Sequence, residues 1–354
     1  MTRQRLLVTG GAGFIGSALV RHLIRETDAD VINVDALTYA ANPRNLREVE
    51  RNPRYRFDQA DICSDRCLAR IFAEHRPSAV IHLAAETHVD RSIDDPLVFV
   101  QTNVLGTAML LRSAWRYWRA LKPAQQAQFR FLHVSTDEVY GSLGAEGAFT
   151  EESPYRPNSP YAASKAAADH LVRAWHKTYG LPIIISNCSN NFGPCQFPEK
   201  LIPLMIINGL EGRPMPVYGR GENVRDWLFV EDHARALALI LDAGRIGECY
   251  NVSAGNEVRN IDLVSMICDL LDECTRSLPG RKSRRELISY VADRPGHDMR
   301  YALDARKLRE ELGWQPRQPF ASALRATVEW YLANEGWWNP LRSAAFERLG
   351  VAVE

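Results

Sequence analysis

Short, unbroken apolar runs alternate with helical stretches along the first half of the chain. Residues 6–9 and 31–35 read as buried strands, with a helix over 18–26 between them. Further strands are predicted over 55–59, 79–84, 131–135 and 183–186, with helices over 103–118 and 161–179. Strands that are apolar throughout, separated by helices, predict an α/β fold with a doubly wound parallel sheet of Rossmann type, covered on both faces. After about Asn190 the pattern changes to short, proline-punctuated segments such as Gly193-Pro194, Phe197-Pro198 and Pro214-Met215-Pro216. A smaller, irregular α+β C-terminal lobe is predicted there, with helices over 231–243 and 261–273. Residues 276–285 read as a solvated basic loop, and the aromatic tail from Trp337 carries no recognisable motif.

Composition narrows the function classes. The 354 residues are 46% apolar, enough for a large core, and Lys+Arg and Asp+Glu both number 43. That balance gives no global reason to expect nucleic acid or a membrane surface as partner. The N-terminal apolar run is too short for a signal peptide, and no later stretch reads as long enough to span a bilayer. Seven scattered cysteines lack the spacing of a zinc site, so no metal is expected; reduced thiols in a cytoplasmic protein fit them best.

The glycines at Gly10, Gly13 and Gly16 follow the first strand and open the first helix. Such a turn brings backbone close to a pyrophosphate and points a helix N-terminus at it, with Phe14 and Ile15 in the same turn. Asp35 ends the second strand, where a carboxylate accepts ribose hydroxyls and repels a 2′-phosphate, so NAD is favoured over NADP. Asp61 and Ile62 are candidates to flank the adenine. Leu83, Ala84 and Ala85 lie at a strand end where open α/β sheets bind ligands.

Two constellations carry candidate chemistry. Tyr161 and Lys165 are four residues apart, on one helix face, where an ammonium beside a phenol favours the phenolate. Asp137 and Glu138 add a second acid/base system that simple alcohol oxidation does not require. Adjacent carboxyls need separate environments to act as acid and base, and on a strand they would face opposite ways, so a turn is expected after Ser135.

The run Ser135-Thr136-Asp137-Glu138-Val139-Tyr140-Gly141 resembles the signature of the nucleotide-sugar 4,6-dehydratases, in the extended short-chain dehydrogenase/reductase superfamily. So do residues 187–194, 197–203, Arg225-Asp226-Trp227, 230–233 and 293–298, and the likeness spans roughly residues 5–335. The resemblance implies an NAD-dependent hydro-lyase acting on dTDP-glucose, with another NDP-sugar dehydratase or a 4-epimerase as the alternative. It implies a catalytic set of Thr136, Asp137, Glu138, Tyr161 and Lys165. Leu37, Thr38, Thr87, Thr102 and Asn191 join the cofactor contacts. For the substrate it implies Thr87, His88, Thr136, Asn190, Lys200, Leu201, Pro216, Val217, Tyr218, Arg225, Asn260, Arg294 and His297. It also implies a homodimer through the 103–118 and 161–179 helices, with Ala162, Ala163, Ala166, Ala167 and Ala168 allowing close approach. Residues 1–190, with return segments near 226–255, are expected to form the NAD-binding domain, and 191–354 mainly the substrate lobe. Ala41, Phe192 and Cys195 depart from the family pattern, Ala41 for Gly and the other two for Tyr.

Overall fold

The structure, a computed structural model, describes residues 3–344. In chain order its strands are β1 (Arg5–Thr9), β2 (Asp30–Asp35), β3 (Tyr55–Gln59), β4 (Ala79–His82), β5 (Arg130–Thr136) and β6 (Ile183–Cys188). They continue with β7 (Asn190–Phe192), β8 (Met215–Tyr218), β9 (Val224–Phe229), β10 (Cys249–Val252), β11 (Glu257–Arg259) and β12 (Ile288–Val291). Seven of them form one parallel sheet in the order β10-β6-β5-β4-β1-β2-β3.

The apolar runs are explained by the two faces of that sheet. Leu6, Val8 and Val31 join Leu19, Leu23 and Leu237 in one buried cluster. Their neighbours Leu7, Ile32 and Val80 join Leu68, Leu110 and Val172 in another. Alternate residues of each strand therefore meet helices on opposite sides, which makes the strands mainly apolar, and buried polar exceptions such as Asn33, His82 and Asn187 have hydrogen-bond partners. From β1 the chain winds through β2 to β3 in one direction, then resumes at β4 on the other side of β1. The crevice at the ends of β1 and β4 is thus a topological switch point, where such sheets hold ligands.

The remaining strands form a three-stranded sheet, β11-β9-β7, and a two-stranded pair, β12-β8. With helices Leu201–Glu211, Asn260–Cys274 and Phe320–Ala333 they enclose a third apolar cluster around Ile206, Leu263 and Leu324. Phe192, one of the family departures, is buried there against Trp227, Phe229 and Phe320.

Four expectations change. The helix expected over 103–118 is part of a continuous 24-residue helical run, Pro96–Arg119, which is long and apolar enough on composition alone to cross a membrane. A π-helical turn at Val100–Gly106 joins its two halves, which no local pattern announces. Within the protein, its inner residues Leu110, Leu111 and Ala114 pack under the sheet. Ala162, Ala166 and Ala168 are buried inside the protomer, which removes them from any contact with a second copy; Ala163 is exposed. The basic loop is not wholly solvated: Arg284 is buried, its Nη1 2.8 Å from Asp272 Oδ1 and its Nε donating to Gly209 O. Finally, Trp337 and Trp338 of the tail are core residues.

Candidate active site

The glycine turn is shaped by close approach. Gly10 has φ +72°, and a Cβ on it would lie 2.7 Å from Ala84 N. A Cβ on Gly16 would lie 2.1 Å from Gly10 O. The helix that follows, Phe14–Glu26, has no side-chain cap, so its first-turn N–H groups remain for an anion. Asp35 sits beside the turn, its Oδ2 accepting from Ala12 N and its Oδ1 from Leu37 N, both at 2.9 Å. Burial raises its pKa and these two backbone bonds oppose the rise. Two N–H donors leave lone pairs on the carboxylate for hydroxyl groups.

A cavity of about 340 Å³ opens from this turn along the sheet ends. Gly10, Gly13, Phe14, Ile15, Gly16, Asp35, Thr38, Asp61, Ile62, Leu83, Ala84, Ala85, Thr87, Thr102 and Asn191 line it. Leu37 does not: it stands at φ +56° with its amide turned back to Asp35. Glycines where backbone must approach, a paired carboxylate and a bare helix terminus fit a dinucleotide. A second cavity of about 150 Å³ adjoins it, lined by His88, Asp90, Arg225, Asn260, Arg294 and His297 among others. Thr87, Glu138, Asn190 and Lys200 border both.

Pro216, Val217 and Tyr218 do not reach either wall. Val217 belongs to the apolar core, because β8 pairs with β12 and alternate residues must face inward. Tyr218 is buried behind the wall, where its hydroxyl reaches Asp90 and the Arg294 guanidinium lies over its ring.

Thr136 ends β5, and a 3₁₀ turn, Asp137–Tyr140, starts at the next residue. The turn expected after Ser135 therefore comes one residue later. It is locked by the Thr136 hydroxyl, which donates to Asp137 Oδ1 and accepts from Glu138 N. The two carboxyls part company here. Burial, then Glu138 and then Asp226 push Asp137 far above the usual carboxyl range, and its Oδ2 is buried with no hydrogen-bond partner among the described residues. Glu138 is also raised by burial, but Arg225, Arg294 and Lys200 pull it back toward the anion. Burial thus favours the protonated form of Asp137, beside an acid that three cations pull toward the carboxylate.

Tyr161 opens the Pro160–Tyr179 helix, whose start is fixed by Ser159 capping Ala162 N at 3.1 Å. Lys165 Nζ donates to Val134 O at 2.9 Å, and burial lowers its pKa. The phenol moves opposite to the sequence expectation: burial and then Glu138 drive its pKa up, while a hydrogen bond with Thr136 opposes them. Lys165 gives one of its three N–H groups to the strand carbonyl and is not among the main influences on the phenol, and an added positive charge in the cavity would favour the phenolate.

Sequence reasoning missed several residues that build the walls. Asn103, within the π-helical turn, exchanges two 2.9 Å bonds with the Glu86 backbone and donates to Ser164 Oγ, pinning the 84–87 loop to the catalytic helix. Asp90 anchors Arg294 at 2.6 Å, and Glu199 accepts from Tyr39 Oη at 2.8 Å and lies 3.3 Å from Arg91 Nε. Of the residues the sequence did name, Asn190 Oδ1 and Asn260 Oδ1 are buried without a hydrogen-bond partner among the described residues, as acceptors awaiting a ligand would be. His297 faces Asp293 at 2.7 Å, yet burial lowers its pKa to about 4. The group Asp58, Glu74 and His75 has metal-ligand spacing, but Arg70 already bridges the two carboxylates.

The family model for GDP-mannose 4,6 dehydratase matches residues 7–327. A dTDP-glucose 4,6-dehydratase of Neisseria meningitidis serogroup B is 58% identical, over 98% of this chain and 99% of its own. Another from Escherichia coli K12 is 56% identical over 97% of each. A dTDP-glucose 4,6-dehydratase from Streptomyces venezuelae, crystallised with NAD bound, superposes with a TM-score of 0.88 at 47% identity, covering 96% of this chain and all of its own. With the glycine turn, the Tyr161/Lys165 helix and the split carboxyl pair all in place, the chain belongs to the family of the dTDP-glucose 4,6-dehydratases.

Proposed function

We propose that the protein converts dTDP-glucose to dTDP-4-keto-6-deoxyglucose and water. One observation carries this reading: two adjacent carboxyls sit in different environments on the wall of the larger cavity, Asp137 enclosed with its Oδ2 unpartnered among the described residues and its pKa pushed up by burial, and Glu138 bordering both cavities with Arg225, Arg294 and Lys200 pulling it toward the anion. An epimerase has no use for that pair. NAD held in the larger cavity supplies the redox chemistry, accepting a hydride from C4 of the glucose and giving it back at C6.

Tyr161 takes the proton from the C4 hydroxyl, with Thr136 hydrogen-bonded to the same oxygen. The resulting C4 ketone acidifies the C5 proton, and Glu138 removes it. Asp137 gives its proton to the C6 hydroxyl, which leaves as water. Glu138 then returns a proton to C5. Arg225, Arg294 and His297 hold the diphosphate and nucleoside end, with Asn190, Asn260, Lys200 and Leu201 completing the wall. Residues 1–190, with return segments near 226–255, serve the cofactor in this reading, and 191–354 mainly serve the substrate.

Mass spectrometry of dTDP-glucose incubated with the protein in deuterated water, without added reductant, tests the reaction. Loss of one water with one deuterium at C5 is expected; a product of unchanged formula would make the enzyme an epimerase. UDP-, CDP- and GDP-glucose tested in parallel report the base preference. Gly16→Ala is expected to weaken NAD binding at least about tenfold, because its methyl group must displace Gly10 O and so the turn. Calorimetric titration with NAD checks this.

The enzyme acts, in this reading, in the cytoplasm as a homodimer. Leu97, Val98, Val100, Leu105 and Tyr179 are large apolar residues left exposed on the Pro96–Arg119 and Pro160–Tyr179 helices, and they support a contact there. Light scattering of the purified protein reports the state.

A further inference from the structure

The C-terminal helices contact residues that surround the larger cavity through side chains that the chemistry above does not use. Trp337 and Trp338 are adjacent in the short helix Glu335–Trp338, and both indoles are buried. Their N–H groups serve different partners. Trp338 Nε1 donates to Tyr331 O at 2.9 Å, within its own lobe. Trp337 Nε1 crosses to the cofactor domain and donates to Asn45 Oδ1 at 2.9 Å.

Asn45 passes the constraint on. Its Nδ2 donates to Ala12 O at 3.1 Å, inside the glycine turn, and Asn42 N donates to the same oxygen at 3.0 Å. With Oδ1 taken by the indole, the Asn45 amide has one orientation that satisfies both ends; flipped, it would set an oxygen against Ala12 O and an NH₂ against the indole N–H. Ala12 is held at its other end too, where its N–H meets Asp35. The backbone of Ala12 is therefore held at both its N–H and its C=O, through the peptide groups on either side of it. A parallel link runs from Arg44 Nη1 to Gly336 O at 2.9 Å. Further along the cavity, the Tyr331 hydroxyl donates to Gln196 O, and Gln196 Nε2 donates to Asn191 O at 2.9 Å. Gln196 and Asn191 both line the cavity, so the same pair of helices braces two ends of it.

We propose that Trp337 is a positioning residue for the cofactor: its indole N–H fixes Asn45, Asn45 fixes the glycine turn at Ala12, and the C-terminal lobe thereby sets how tightly the dinucleotide is held. The proposal rests on the reading of the larger cavity as an NAD site. It assigns the aromatic tail a task in cofactor retention and separates two neighbouring tryptophans that are both buried but bonded differently.

Trp337→Phe keeps an aromatic ring and removes the donor. The full-length protein is purified, its NAD content is measured after acid denaturation, and the dissociation constant of NAD is measured by calorimetry on cofactor-stripped protein. Trp337→Phe is expected to bind NAD roughly three- to tenfold more weakly, the worth of one buried hydrogen bond, with kcat at saturating NAD within about twofold of the parent. Trp338→Phe is expected to bind NAD as the parent does. Asn45→Ala should reproduce the loss, and adding Trp337→Phe to it should weaken binding no further, because the two act as one chain. NAD affinity unchanged in Trp337→Phe, an equal loss in Trp338→Phe, or full additivity with Asn45→Ala would each overturn the proposal. Failure of the parent protein itself to bind NAD or to dehydrate dTDP-glucose would instead overturn the cofactor reading beneath it.

Discussion

Glu138→Gln is expected to abolish both water loss and deuterium uptake at C5, lowering kcat by about 10²–10⁴-fold, the range for removal of a general base. Asp137→Asn should behave differently. It removes the proton donor for the departing hydroxyl but leaves the C5 base in place. Dehydration then falls by a similar factor while C5 of recovered dTDP-glucose still exchanges with solvent. Nuclear magnetic resonance of the recovered sugar in deuterated water reads exchange and elimination separately. The division follows from the environments described above. Asp137 is enclosed and raised by burial, Glu138 and Asp226, with Arg225 opposing, whereas Glu138 has three opposing cations, Arg225, Arg294 and Lys200. If Asp137→Asn lost C5 exchange and Glu138→Gln kept it, the acid and base assignments would have to be reversed.

Much of this site was legible because its signals are local. The glycine turn, the Asp35 strand end, the four-residue spacing of Tyr161 and Lys165 and the adjacent carboxyls are all short-range patterns, and each lies on the cavity wall. The doubly wound sheet was legible for the same reason: a strand buried on both faces reads as a nearly continuous apolar run. What local pattern could not give was pairing at a distance. Asp90 and Arg294 lie 204 residues apart, and Trp337 and Asn45 lie 292 apart. A single buried acid or indole looks like any other in sequence; its partner is chosen by topology. The same limit explains Val217, which the family motif put at the base pocket but which β8 pairing turns into the core. It also explains the phenol of Tyr161, where spacing identified the lysine but not the burial and the nearby Glu138 that drive the pKa up.

Arg225 should control where on the pH scale the enzyme works. Its guanidinium is buried, donates to Val224 O and Asp298 O at 2.8 Å, and lies 4.3 Å from the centre of the Tyr301 ring. From there it is the largest influence holding Glu138 down against burial, and it holds Asp137 down as well. Glu138 works ionised, so activity is lost as pH falls through its raised pKa. Asp137 works protonated, so activity is lost as pH rises through its own. Removing the cation raises both pKa values, and both limbs of the kcat profile must then move toward alkaline pH. Arg225→Met is accordingly expected to lower kcat/KM at neutral pH roughly 10²-fold, with part of the kcat loss recovered on raising the pH. Arg225→Lys keeps the charge but loses the planar fork that spans the two carbonyls and a phosphate; it should raise KM and leave the profile nearly in place. Full pH profiles of kcat and kcat/KM for the three proteins separate the two contributions. A profile unmoved in Arg225→Met would confine this arginine to gripping the diphosphate, and the tuning of Glu138 would then rest on Arg294 and Lys200.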